Sequence, residues 1–214
     1  MIAIISNRGT WPKHFAISLI ELINYTRKLY EVEYFTIASC SVNHMRNRAA
    51  LISMDKGRES TGKKFDYLVQ LDDDMMYPCN FIEKFIAHDK DCVVGVACQR
   101  TPPFLPVQYK EFNGVDFKKE SNLVRLKGDE GLVKVGLSGP VGMVMKTSVF
   151  DKLKYPYYQQ IETNDTPSYL GGDVNFAMAL RDAKVDIWCD SSVSFPHCVG
   201  ENAYADRGEV HFVH

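Results

Sequence analysis

The chain has 214 residues, 45% of them hydrophobic and 24% charged, with a formal net charge of −2. The length suits one large domain or two small ones, and the hydrophobic share is that of a globular protein with a buried core. The near-neutral charge gives no reason to expect a nucleic-acid or membrane-surface binder, and no run of about 18 apolar residues offers a membrane span.

Residues 2–6 read as a buried first strand. The start is too short, and lacks the basic flank, to be a signal peptide. Pro12 suits the first turn of a helix, and Phe15, Leu19, Leu22 and Ile23 follow at helical spacing to about Leu29. Glu33 to Ser39 reads as a second strand. A second helical face runs from Val42 to Met54 through Met45, Ala49 and Ile52. Strand 66–71 follows, then a helix opened by Pro78 with Phe81, Ile82, Phe85 and Ile86 on one side, then a Val-rich strand from Asp91 to Cys98. This alternation predicts an α/β fold, a mostly parallel sheet with helices on both faces.

The middle of the chain changes character. Pro102-Pro103, Asn113-Gly114 and Gly128-Asp129 punctuate residues 101–138, which predicts hairpins. Val141 to Met145 reads as a strand between glycines, with Thr147 capping a short helix. Residues 155–171 form a Tyr-rich loop, of a length that usually carries function. Helix 173–183 and strands near 185–189 and 192–196 complete the series. No repeat or linker appears, so one domain is expected.

Six cysteines are present, at 40, 79, 92, 98, 189 and 198, and none forms a C-x-x-C pair. Buried thiols in a reducing cytosol are expected rather than zinc ligands. A cytoplasmic location follows from that reading. Without a secretory signal, the triplets Asn24-Tyr25-Thr26 and Asn164-Asp165-Thr166 carry little weight as glycosylation sites.

The most informative feature is Asp72-Asp73-Asp74, closing the segment Tyr67-Leu68-Val69-Gln70-Leu71. Tyr, Leu and Val suit a buried strand and Asp does not, so the triplet falls at a strand's carboxyl end, where open α/β sheets bind ligands. Clustered carboxylates repel and stay charged beside a cation. Mg2+ or Mn2+ fits, since such ions take carboxylate oxygen and bridge to substrate phosphates. The plain alternative is a solvated acidic turn ahead of Pro78.

Five segments together resemble the GT-A glycosyltransferases. They are Asp72-Asp73-Asp74 as a D-x-D motif, Arg46-Asn47-Arg48-Ala49-Ala50-Leu51, the glycine-containing run Leu137 to Met145, Gly171-Gly172-Asp173-Val174-Asn175-Phe176, and Phe195-Pro196-His197. They stand in the family's order over most of the chain. In detail the pattern is similar to the glycosyltransferase domains of chlorovirus capsid-glycosylating proteins. One departure is Gly172, where many inverting members carry an acidic residue.

The resemblance implies a GT-A fold with a small antiparallel insertion, 1–98 as the nucleotide-binding half and 99–214 as the acceptor-binding half, and a metal-dependent, inverting transfer. A hexose or deoxyhexose would pass from a UDP-sugar to a glycan or glycoprotein acceptor, in the host cytoplasm if the source is viral. Glucose and L-rhamnose are the candidate sugars and a capsid glycan the candidate acceptor. Asp74 would ligate Mn2+ or Mg2+ directly, Asp72 would support it, and His197 would complete the site, an imidazole favouring Mn2+. Asp73 would reach the ribose. Ser6, Asn7, Arg8 and Arg48 would hold the uracil, with Arg48 preferred to Arg46 through the alignment alone. Gln99, Arg100 and Gly139 would lie by the donor sugar. Asp173 would be the general base, with Glu162 and Asp165 in reserve, and Tyr155, Tyr157 and Tyr158 an acceptor platform.

Bland readings stand beside these: a structural His197, an N-capping Asp173, arginines on a solvated helix face, a loop anchored by its tyrosines. His211 and His214 are expected in a terminal tail. Two other functions stay open. Arg8 to Lys13 faintly resembles the signature of sugar-nucleotide nucleotidyltransferases, without their glycine spacing. A metal-dependent carbohydrate-binding module without catalysis is the other.

Overall fold

The computed structural model describes residues 1–6, 9–39, 41–112, 124, 130–162, 169–200 and 203–212. The Asn113-Gly114 and Gly128-Asp129 turns lie outside them. So do Asn7, Arg8, Cys40, Asp165 and His214, as does the side chain of Glu162.

The first half follows the expected alternation. Strand β1 (Ile2–Ile5) leads to helix α1 (Lys13–Thr26), β2 (Tyr34–Ile37), α2 (Val42–Ser53), β3 (Tyr67–Asp72), α3 (Phe81–Ala87) and β4 (Cys92–Ala97). The second half supplies β5 (Leu132–Val135), β6 (Met143–Lys146), the short strands β7 (Ile161–Glu162) and β8 (Tyr169–Leu170), α4 (Gly172–Asp182) and β9 (Ile187–Phe195). Seven strands form one sheet in the order β2-β1-β3-β6-β4-β9-β5. The pairs β1–β2, β1–β3 and β4–β9 are parallel, and β6 runs antiparallel between β3 and β4.

Strand side chains alternate between two apolar layers, as period-two geometry requires. Ile2, Ile4, Val69, Leu71, Val93 and Val144 face Phe15, Leu19 and Leu22 of α1 and Phe81 and Phe85 of α3. Ala3, Ile5, Leu68, Val94, Met143 and Met145 face Met45 and Ala49 of α2 and Phe176 and Leu180 of α4. Helices therefore cover both faces, and the strand ends are left to carry chemistry.

Three expectations need correction. Residues 187–195 form one long strand where two short ones were expected. Its register against β4 slips between Gly95 and Val96, and such a bulge bends the strand and re-aims the residues beyond it. Thr147 caps nothing: its hydroxyl donates to the carbonyls of Phe65 and Asp66, tying the short 3-10 helix to the start of β3. The expected C-terminal tail is structured. Strands β10 (His197–Gly200), β11 (Ala203–Asp206) and β12 (Glu209–Phe212) form a separate antiparallel sheet, and His211 sits in it, stacked on Tyr204.

Gly142 shows why glycines flank β6. Its φ is +61°, and a Cβ there would lie 2.4 Å from the Phe195 ring. Only glycine allows both that backbone and the aromatic beneath it. Phe195 in turn packs on Tyr77, Phe81 and Phe85, which fixes the strand that delivers His197. Among the described residues no helix is long and apolar enough to cross a membrane.

Candidate active site

The parallel strands β1, β3, β4 and β9 end at one edge of the sheet, and the segment entering β6 begins there. The Asp72–Asp74 triplet leaves β3 at this edge in a tight turn stitched to the far end of the chain. Met75 bridges His197, the Met76 amide donates to the Pro196 carbonyl (2.8 Å), and the Cys198 amide donates to the Asp74 carbonyl (2.8 Å). Tyr77 holds the first aspartate from below: its hydroxyl accepts from the Asp72 amide (2.9 Å) and donates to the Asp72 carbonyl (3.1 Å). The three carboxylates then diverge, each with its own partner.

Asp72 pairs with Arg46. The guanidinium donates to both carboxylate oxygens at 2.9 and 3.1 Å and to the Gln70 side-chain oxygen at 3.2 Å. Arg46 is 2% exposed, so this is an ion pair on the cleft floor. Burial raises the Asp72 pKa, against the pull of Arg46. The Arg46 pKa is raised as well: burial opposes its charge, but Asp72 and then Asp173 outweigh that. The Asp173 carboxylate lies 3.8 Å from Arg46 Nε, an atom without a hydrogen bond among the described residues.

Asp73 accepts a 2.6 Å hydrogen bond from the Ser6 hydroxyl, which itself accepts from the Trp11 indole at 3.1 Å. Asp74 faces His197, with Asp74 Oδ2 and His197 Nε2 3.3 Å apart. Arg100 reaches both, through Nη2 to Asp74 and Nε to His197.

Across the edge stands Asp173. The N-cap of α4 is Gly171, so Asp173 lies inside the first turn and does no capping. Its side chain is 46% exposed, and Gly139 lies beneath it, where a Cβ would come 3.6 Å from Asp173 Oδ2. A cavity of about 350 Å³ joins these groups, lined by Asp72, Gln99, Gly139, Asp173 and His197. That volume falls within the range of small-molecule sites.

Among the expected site residues, then, Asp72, Asp74, Gln99, Arg100, Gly139, Asp173 and His197 gather at one place, with Asp73 and Ser6 beside them. Arg48 does not join them. It pairs with Glu59 at 3.1 Å and contacts the Ala38 carbonyl past the end of β2. Ser6 is buried and turned onto Asp73, so it supports that carboxylate. Tyr157 and Tyr158 are core residues and not a platform: Asn47 binds both of their amides, and Tyr158 stacks on Phe176 with ring centres 4.2 Å apart. Tyr155 alone of the three is exposed.

Arg46 and Asn47, inside a segment the sequence marks, hold the site in ways the sequence reading does not assign to them. One binds the triplet and the other anchors the 157–158 loop. The signal for Arg46 lay in α2: positions 46, 49, 50 and 53 share an arc that Ala49, Ala50 and Ser53 mark as buried. Arg46→Met should expose the strength of this pair. Breaking a buried ion pair by removing one partner costs about 3–5 kcal/mol, and the partial exposure of Asp72 puts this case at the lower end, about 3 kcal/mol by urea unfolding. A loss within about 0.5 kcal/mol, as for a surface position, would remove Arg46 from that role.

A metal ion suits part of this donor set. Among the described residues no three His, Cys, Asp or Glu side chains converge into a ready-made metal cage, because Asp72 is turned onto Arg46. Asp74 and His197 supply one carboxylate oxygen and one imidazole nitrogen, with the Arg100 guanidinium standing in as the cation between them. Two protein ligands are what an octahedral ion needs when substrate phosphates and water complete its shell.

No family model matches the chain, and no curated protein matches it in sequence. Neither comparison therefore supports the narrower chlorovirus resemblance. Among solved structures, that of A197 from STIV is similar over 100% of this chain and 93% of that one, with a TM-score of 0.64 and 19% identity. Such a likeness shows architecture alone: the two chains share an α/β fold.

Proposed function

We propose that the chain is a divalent-metal-dependent, inverting glycosyltransferase that moves a hexose or deoxyhexose from a UDP-sugar to a glycan acceptor. The observation that carries this reading is the pairing of Asp74 with His197 around the Arg100 cation, with Asp173, which does no capping, on the cavity that His197 lines. Asp74 and His197 would hold Mn2+ or Mg2+, which neutralises charge developing on a diphosphate leaving group. Asp73, held by Ser6, would accept from the ribose hydroxyls. Asp173 would take the proton from the acceptor hydroxyl as that oxygen attacks the anomeric carbon. The whole chain is read as one catalytic unit, with the nucleotide on the 1–98 side and the acceptor on the 99–214 side. Glucose and L-rhamnose are the first donors to try, and a capsid glycan the first acceptor.

A panel of sugar nucleotides incubated with Mn2+ tests the reading. UDP-sugars should release UDP, and UDP should bind more tightly than ADP or GDP by titration calorimetry. A preference for a purine diphosphate would overturn the base assignment. Binding without turnover would make the protein a carbohydrate- or nucleotide-binding module. Release of pyrophosphate on forming a sugar nucleotide would make it a nucleotidyltransferase.

A further inference from the structure

His197 Nδ1 lies 3.2 Å from the Cys98 carbonyl oxygen. A carbonyl only accepts, so Nδ1 carries the proton and donates it. Arg100 Nε–H, 3.2 Å from His197 Nε2, likewise only donates, so Nε2 presents its lone pair. That lone pair faces Asp74 Oδ2 at 3.3 Å. Two acceptors this close are unfavourable unless a positive group lies against both. The guanidinium of Arg100 is such a group.

The parts differ in freedom. The side chains of Asp74 and His197 are 9% and 13% exposed, while that of Arg100 is 56% exposed. Backbone bonds pin the root of the arginine: Gln99 N to the Leu105 carbonyl (2.8 Å) and Phe104 N to the Thr101 carbonyl (3.0 Å), beside the Cys98–Pro106 bridge. Asp74 is buried and His197 nearly so, and the cation between them rides on a solvated arm with a fixed base.

We infer that Arg100 is a tethered counter-ion for the metal position. It neutralises Asp74 and donates to His197 when no divalent ion is bound, and the ion enters by displacing it. This rests on the metal reading of the same site proposed above. The exchange lowers apparent metal affinity, because only the arginine-open fraction accepts the ion. It also keeps the metal-free site from being left as two facing acceptors.

The test is a titration with Mn2+ alone, following the free-ion electron paramagnetic resonance signal, on wild type, R100A, R100K and D74N. R100A should bind Mn2+ on the order of tenfold more tightly than wild type, the gain expected if the arginine closes the site about nine-tenths of the time. R100K keeps the charge on a more flexible arm and should fall between them, and D74N should bind least. The metal-free R100A protein should melt below wild type and gain more from added Mn2+. Equal or weaker Mn2+ binding by R100A would overturn the exchange and leave the metal reading in place. Absence of binding by both wild type and R100A would overturn both.

Discussion

Asp173→Asn is expected to lower sugar transfer by about 10²–10⁴-fold, the usual worth of a general base, while UDP-sugar binding persists. The substitution keeps the side chain's shape and removes its basicity. Secondary structure gives it little else to disturb: Gly171 caps α4, and Asp173 is half-exposed over Gly139. Arg46 keeps its two bonds to Asp72, so the cleft floor retains its cation. A loss in turnover without a loss in binding therefore reports on the proton transfer. Direct displacement with Asp173 opposite the leaving group turns an α-linked donor into a β-linked product, which proton NMR of the purified product reads. Near-normal transfer by the mutant would remove Asp173 from the mechanism. A retained configuration would reject the inverting scheme and leave only the metal and nucleotide assignments.

Asp74→Asn should abolish Mn2+-dependent nucleotide binding with the fold intact. The carboxylate faces His197 and Arg100, whereas the structural work of this residue is done by its backbone carbonyl on Cys198, which asparagine keeps. With two protein ligands available, losing one is expected to cost more than the 10–100-fold typical of an outer-shell partner. Calorimetric titration of UDP with and without Mn2+ checks this. Equal affinity in all four combinations of protein and metal would end the metal hypothesis.

Much of this was legible in the sequence, for physical reasons. Strands buried on both faces read as continuous apolar runs, and the helices of the first half show a clean apolar face, so the alternation from β1 to β4 was readable. The triplet was readable because aspartates are poor continuations of a strand such as Tyr67–Leu71. What escaped depends on distance. That Arg100 reaches residues 74 and 197 is a result of how β4 and β9 sit together, which no local pattern states. Asn47 bonding to residues 157 and 158 is of the same kind. The tyrosines suggested a sugar platform because an aromatic that stacks on Phe176 and one that stacks on a substrate look alike in sequence. The choice of Arg48 over Arg46 came from alignment, where the helical arc pointed the other way. The C-terminal sheet was missed because its strands are short and half-exposed, which blurs the apolar alternation that marks a longer strand.

The position of β6 bears on how the chain is assembled during synthesis. β3 and β4 are consecutive strands in the sequence yet do not pair: β6, from residues 143–146, lies between them. The other strand partner of β4 in the sheet is β9, at residues 187–195. A nascent chain that has emerged only as far as β4 therefore has partners available for β1, β2 and β3, and none of the sheet strands that flank β4 in the folded protein. Docking of that strand waits for two segments still to come, the kind of long-range closure that slows folding and exposes intermediates to association. The sheet is thus completed by insertion rather than by adding strands in order, and the edge that carries the candidate site waits for His197 to leave the ribosome.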